Sequence, residues 1–148
     1  MTRRIELELE GVTAVARLLE DEAPETSRSL WELLPLDETL RHLAWAGEGV
    51  WVSTRKLRDA DLPPENRVSF YHPGMLNCRP ESGEIAFCYG QAQARTLYGH
   101  AGNIFANHFA TFEGDFWSLL KAAERTHLEG AKRLAIRRKG GRVRAGSD

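Results

Sequence analysis

Between Arg4 and Glu10 the chain reads RIELELE, with Ile5, Leu7 and Leu9 alternating strictly against Glu6, Glu8 and Glu10. A period of two makes a strand with one dry and one wet face, so the chain must build a sheet and cover its dry side. Gly11 supplies a turn, and VTAVARLLE returns as a second strand. A cover follows directly. Pro24 suits the first turn of a helix and Pro35 stops it. Within that helix Leu30, Leu33 and Leu34 fall at helical spacing, with Trp31 beside them.

The next stretch, RHLAWAGEGVWVST from Arg41 to Thr54, reads as a hairpin that carries two of the four tryptophans. With Gly47, Glu48 and Gly49 as the turn, Trp45 faces Trp51 and both indoles share one sheet face with Leu43. With only Glu48 and Gly49 in the turn, the register slips by one and the indoles part to opposite faces. RKLRDADLPPENRVSFYHPG is polar and proline-rich, an excursion without regular structure. MLNCRP and EIAFCYG form a strand pair around Pro80–Gly83, QAQARTLYGHAGNIF is a loop, and ANHFATFE is a strand. Asp115 is the expected N-cap of a helix over DFWSLLKAAERTHLEGAK, burying Phe116, Leu119, Leu120 and Ala123 and ended by Gly130. KRLAIRR closes the order as a last strand. Two helices separated by a run of strands predict an α+β fold with an antiparallel sheet. The seven or eight strands suffice for a closed or nearly closed barrel, which needs about eight.

A chain of 148 residues with 42% hydrophobic and 28% charged residues is expected to form one soluble domain, here residues 1–138. The glycine-rich basic end, 139–148, reads as a flexible tail. Net charge is −1, which gives no field for nucleic acid or anionic lipid. No apolar run reaches the ~20 residues of a membrane span, and the N-terminus goes straight into a strand pattern. A cytoplasmic protein with neither a nucleic-acid nor a membrane partner is expected.

Together IELELEGVTAVARLLEDEAPETSRSLWELLP, RHLAWAGEGVWV, PPENRVSFYHPGML, EIAFCYG and GNIFANHFATFEG resemble a bacterial family of cyclophilin-like proteins of unassigned function. The family is distantly related to cyclophilin-type prolyl isomerases, and the likeness covers nearly the whole chain apart from the tail. The resemblance implies a cyclophilin-like barrel with two covering helices. In prolyl isomerases an arginine donates to the prolyl amide nitrogen and weakens amide resonance. Arg41 falls in the corresponding region, but the flanking apolar, Pro-Gly-Phe and Gln pattern is missing.

The residues themselves point to a small-molecule site. Trp45, Trp51 and Tyr89 offer aromatic walls with polar edges. His42 and His108 are candidate acid/base groups, Arg41 a candidate catalytic amide donor, and Asn103 and Asn107 candidate amide or carboxylate binders. In a strand Asn107 and His108 point to opposite faces. Tyr71 and His72 are expected at the pocket edge. The expected ligand is a compact polar metabolite with amide or carboxylate groups. A prolyl isomerase or peptide-binding module using Arg41 or Arg95 is the alternative, and a homo-oligomer built through exposed aromatics is a third reading.

No cofactor is expected, because phosphate cradles, nucleophile elbows and paired catalytic carboxylates are absent from the sequence. No metal is expected either. The five histidines, at 42, 72, 100, 108 and 127, lack ligand spacing, so His42, His100 or His108 would have to converge from separate strands. Cys78 and Cys88 are not opposite each other in their hairpin and read as buried, reduced thiols.

Overall fold

The computed structural model describes residues 2–95 and 104–140. The opening strands are β1 (Arg4–Leu9) and β2 (Val12–Leu18), with Ile5, Leu7 and Leu9 fully buried. On the wet face Arg137 bridges Glu6 and Glu8 at 2.8 and 2.7 Å. Eight strands close into an antiparallel barrel. β1 pairs with β2 and with β10 (Lys132–Arg138), and β10 pairs with β3 (Leu36–His42). From there the ring continues through β4 (Gly47–Ser53), β8 (Glu84–Gln93), β7 (Met75–Arg79) and β9 (Ala106–Glu113), and β9 returns to β2.

Closure leaves the ring no free edge. Its interior holds Ile5, Leu7, Leu9, Val50, Phe87 and Ile136 with other buried apolar residues. Helix α1 (Pro24–Leu33) buries Leu30, and Leu34 just beyond it is buried too. The guanidinium groups of Arg3 and Arg138 lie 5.1 and 4.9 Å from the centre of the Trp31 ring. Cation–π attraction to these two arginines ties the helix to the barrel wall. No helix among the described residues is long and apolar enough to cross a membrane.

Several local expectations change. The second helix is two pieces, α3 (Trp117–Glu124) and α4 (Thr126–Glu129), so with α2 (Arg55–Asp59) there are four short helices among the described residues. Asp115 is not the N-cap; Phe116 is, and the Asp115 carboxylate accepts from the Trp117 N–H at 3.2 Å. The excursion after β4 is not featureless. It holds α2 and two short rungs, β5 (Arg67–Val68) on β9 and β6 (Phe70–Tyr71) on β8. QAQ likewise belongs to β8 rather than to a loop.

The tryptophan hairpin has neither expected register. Trp51 lies opposite Arg41, and Trp45 sits in the connection between β3 and β4. Gly47 and Gly49 do not form the turn but belong to β4, where the strand bulges against β8. A Cβ on Gly47 would lie 2.3 Å from the Gln91 carbonyl oxygen, and one on Gly49 would lie 2.9 Å from that of Phe87. These glycines serve close backbone approach, a requirement that sequence alone does not separate from a turn.

Candidate functional site

Cross-strand partners share a sheet face. The register Arg41–Trp51–Ala86–Asn77–His108 therefore makes one row across five strands. This row is on the outer face, since Ile85 and Phe87 alternate with Ala86 and point into the barrel. A second, smaller apolar cluster gathers here: Tyr71, Ala86, Cys88, Ala92, Ala94 and Ala106, with Trp51 and Leu43 packed against it.

A groove of about 410 Å³ opens at the Arg41 end of the row, within the range of ~300–1,000 Å³ common for ligand sites. Trp45, Trp51 and Tyr71 line it, and Arg41, Glu84 and Arg95 bring polar side chains. Trp45 is 48% exposed and Trp51 half-buried, so one indole is open to solvent while the other rests on the sheet. The Arg41 guanidinium stacks 5.8 Å from the centre of the Trp51 ring. Among the described residues no carboxylate pairs with Arg41.

Two groups beside this groove are shaped by burial. Tyr71 is only 3% exposed, and its hydroxyl has no protein hydrogen-bond partner. Burial pushes that phenol far above its usual range. Glu84 is opposite Ser53 on β4 and Arg79 on β7. Burial pushes its carboxyl upward, opposed by the charge of Arg79 and reinforced by Glu81. Arg79 is already committed: it donates to the Glu81 carboxylate at 2.5 and 3.1 Å and to the Arg95 carbonyl at 2.6 Å. An unpartnered buried polar group costs ~1–3 kcal/mol, so the Tyr71 hydroxyl beside the groove and the Asn77 amide on the adjoining row both call for a reason.

The sequence-derived candidates divide. Arg41, His42, Trp45 and Trp51 line the groove, as do Tyr71 and Arg95. His42 itself faces the barrel mouth, paired in register with Val50. Its Nδ1 is 2.7 Å from the Leu43 carbonyl and its Nε2 is 2.7 Å from the Tyr89 hydroxyl. An Nδ1–H tautomer satisfies both, with the phenol donating to Nε2. Tyr89 therefore belongs to this closed pair, beside His127, rather than to the groove. His108 lies at the far end of the row, where its Nε2 approaches the Ala110 carbonyl at 3.1 Å and burial lowers its basicity.

Asn107 is buried on the inner face, and its amide is used internally. It donates to Thr26 Oγ1 at 3.1 Å and to the Pro63 carbonyl at 2.9 Å, and accepts from the Glu65 N–H at 3.2 Å. It pins α1 and the loop before β5 across the barrel end. A cleft of about 480 Å³ beside it is lined by Arg58, Asp61, Arg67 and Glu81. Its buried amide is saturated, whereas the tryptophan groove presents polar groups that are not. Asn103 and His100 lie outside the described residues. Among the described residues no group of three His, Cys, Asp or Glu side chains is arranged to hold a metal.

Residues 5–137 match a protein family described as "Protein of unknown function (DUF3830)". The chain belongs to this family. A comparison with curated proteins finds no match. Among solved structures the chain is similar to McbB in complex with tryptophan, with a TM-score of 0.72 and 20% identity over 95% of this chain. The chain spans about half of McbB, 46% of its length. It is also similar to the solution structure of the hypothetical protein AF2241 from Archaeoglobus fulgidus, with a TM-score of 0.63 and 14% identity over 93% of this chain and 95% of that one. At these identities the likeness concerns the barrel fold, and neither comparison establishes kinship with cyclophilins.

For this DUF3830 member, sequence reasoning missed Glu84 and Gln93 at the groove. Glu84 sits in PESGEIAF, where a carboxylate beside a turn reads as solvated. Its burial arises because β8 lies between β4 and β7 and β6 joins farther along the same strand. A hint existed only in the alternation of Glu84 with Ile85, which puts it on the same face as Ala86 and Cys88.

Proposed function

We propose that this barrel binds a compact metabolite in the outer groove between Trp45 and Trp51, with a flat apolar body and a polar group such as a carboxylate or amide. The observation that carries this reading is a groove of about 410 Å³ walled by two indoles, with the Arg41 guanidinium over one of them and no carboxylate paired to it among the described residues. Flat ligands stack on indoles, and a few convergent polar groups orient them. The fold neighbour McbB has been solved with tryptophan, a molecule of this description, which supports the choice of ligand size. The finer cyclophilin-like kinship is part of the same proposal, because such a scaffold would carry its site on the barrel surface.

A thermal-shift screen of metabolites against the native protein and its Trp45→Ala variant tests the reading. A ligand that raises the melting temperature of the native protein, and does so less for the variant, supports it. Trp45 is the safer position to change because it is the more exposed of the two. If no metabolite shifts the native protein, or every shift survives the substitution, the groove is not the site.

The unpaired Arg41 beside an apolar wall favours one second reading, a prolyl isomerase using Arg41 as amide donor. Acceleration of a proline-limited refolding step in a test protein, lost in Arg41→Gln, supports it. No acceleration removes it.

A further inference from the structure

The groove is lined by two groups of opposite charge that no ion pair holds among the described residues, one on each side of the same indole. Arg41 stacks on Trp51 with no carboxylate partner among the described residues. Glu84 lines the groove, half-buried, and no hydrogen bond or ion pair holds it among the described residues. Arg79 is opposite it in register and its charge reaches the Glu84 carboxyl, but its guanidinium hydrogen bonds go to Glu81 and to the Arg95 carbonyl. Glu84 is two residues from Ala86, and Ala86 is the cross-strand partner of Trp51. The two charges therefore flank Trp51, Arg41 on the neighbouring strand to one side and Glu84 on the strand to the other.

Resting on the binding role proposed above, we infer that the groove selects a zwitterion: a small aromatic amino acid. Its carboxylate would meet Arg41 and its ammonium Glu84, while its ring lies along Trp51. Each charged end of the ligand completes a group that the protein leaves incomplete. A neutral amide ligand would complete neither, and a simple carboxylic acid would leave Glu84 facing a like charge. Charge-assisted hydrogen bonds are the strong ones, so the selection falls on compounds carrying both ends.

The test is a matched series of probes titrated calorimetrically into the native protein: L-tryptophan, indole-3-propionate without the ammonium, tryptamine without the carboxylate, and indole without either. The inference expects L-tryptophan to bind at least about tenfold more tightly than each truncated probe, the equivalent of one charge-assisted bond per end. In Glu84→Gln the advantage over indole-3-propionate should collapse, with the advantage over tryptamine kept. In Arg41→Gln the pattern should reverse. Truncated probes that bind within about twofold of L-tryptophan overturn the zwitterion, as does an advantage that survives both substitutions. The series on the native protein stands even if a variant fails to fold. If indole or another neutral aromatic binds and Trp45→Ala weakens it while charge adds nothing, the groove remains a ligand site and only the zwitterion falls. If no probe binds and no screened metabolite depends on Trp45, both fall together.

Discussion

Asn107 and Asn77 are both buried and lie on neighbouring strands, yet they live in opposite circumstances. On the inner face the Asn107 amide makes three hydrogen bonds and clamps α1 and the following loop to β9. On the outer face Asn77 is fully buried, and neither its amide nitrogen nor its carbonyl oxygen has a protein partner. The contrast extends beyond the two residues. The barrel interior is apolar, while the outer row and its groove collect Asn77 and Tyr71, each buried without a hydrogen-bond partner, beside the half-buried Glu84. A chain selected for stability alone would not leave these groups together on one face.

The sharpest way to break this contrast is Asn107→Ala. It strands the Thr26 hydroxyl, the Pro63 carbonyl and the Glu65 N–H, so a loss of about 3 kcal/mol is expected. A thermal melt should fall by roughly 10 °C. Asn77→Leu should act in the opposite direction, raising stability by up to about 2 kcal/mol in denaturant unfolding, because an apolar side chain of similar size ends an uncompensated burial. If it destabilises like Asn107→Ala, the two asparagines are equivalent and the comparison fails. Tyr71→Phe should add about 1 kcal/mol of stability, read by thermal melting, because it removes a buried hydroxyl without a partner.

The smallest effect is expected for Glu84→Gln, and it should depend on pH. Burial holds the Glu84 carboxyl above its unfolded value, with the Arg79 charge opposing and Glu81 reinforcing. The stability tied to the neutral acid is therefore present below the unfolded value, about 4.3, and is lost as pH rises through the folded one. The variant should match the native protein near pH 4 and melt higher at pH 8. Equal melting at both pH values would mean that Glu84 is solvated and the groove is less dry than its lining suggests.

Much of the barrel was legible from local pattern. The alternation of Ile5, Leu7 and Leu9, the Pro24 start of α1 and the offset of Cys78 from Cys88 each depend on neighbours in sequence. The structure pairs Cys78 with Ile85 and Gly49 with Cys88, and both thiols are buried. The site was legible in part, because its aromatic and basic members Arg41, Trp45, Trp51 and Tyr71 stand out by type. Glu84 did not, since its character comes from β4 and β7 flanking it, partners that are distant in sequence. Asn107 misled for the converse reason. Its type suggests recognition, but the Thr26, Pro63 and Glu65 groups that consume its amide are far away along the chain. The Gly-Glu-Gly stretch misled because close approach and chain reversal call for the same residue.

The hydrogen-bond ring closes from β9 back to β2 without help from β5 or β6, whose two-residue rungs attach beyond it. Asn107 anchors the preceding loop at Pro63 and Glu65. Residues 67–74, which bring Tyr71 to the groove, add rungs to β8 and β9 but take no part in closing the ring. Divergent descendants of such a chain can rewrite that stretch, and with it the chemistry they recognise, while inheriting the same barrel unchanged.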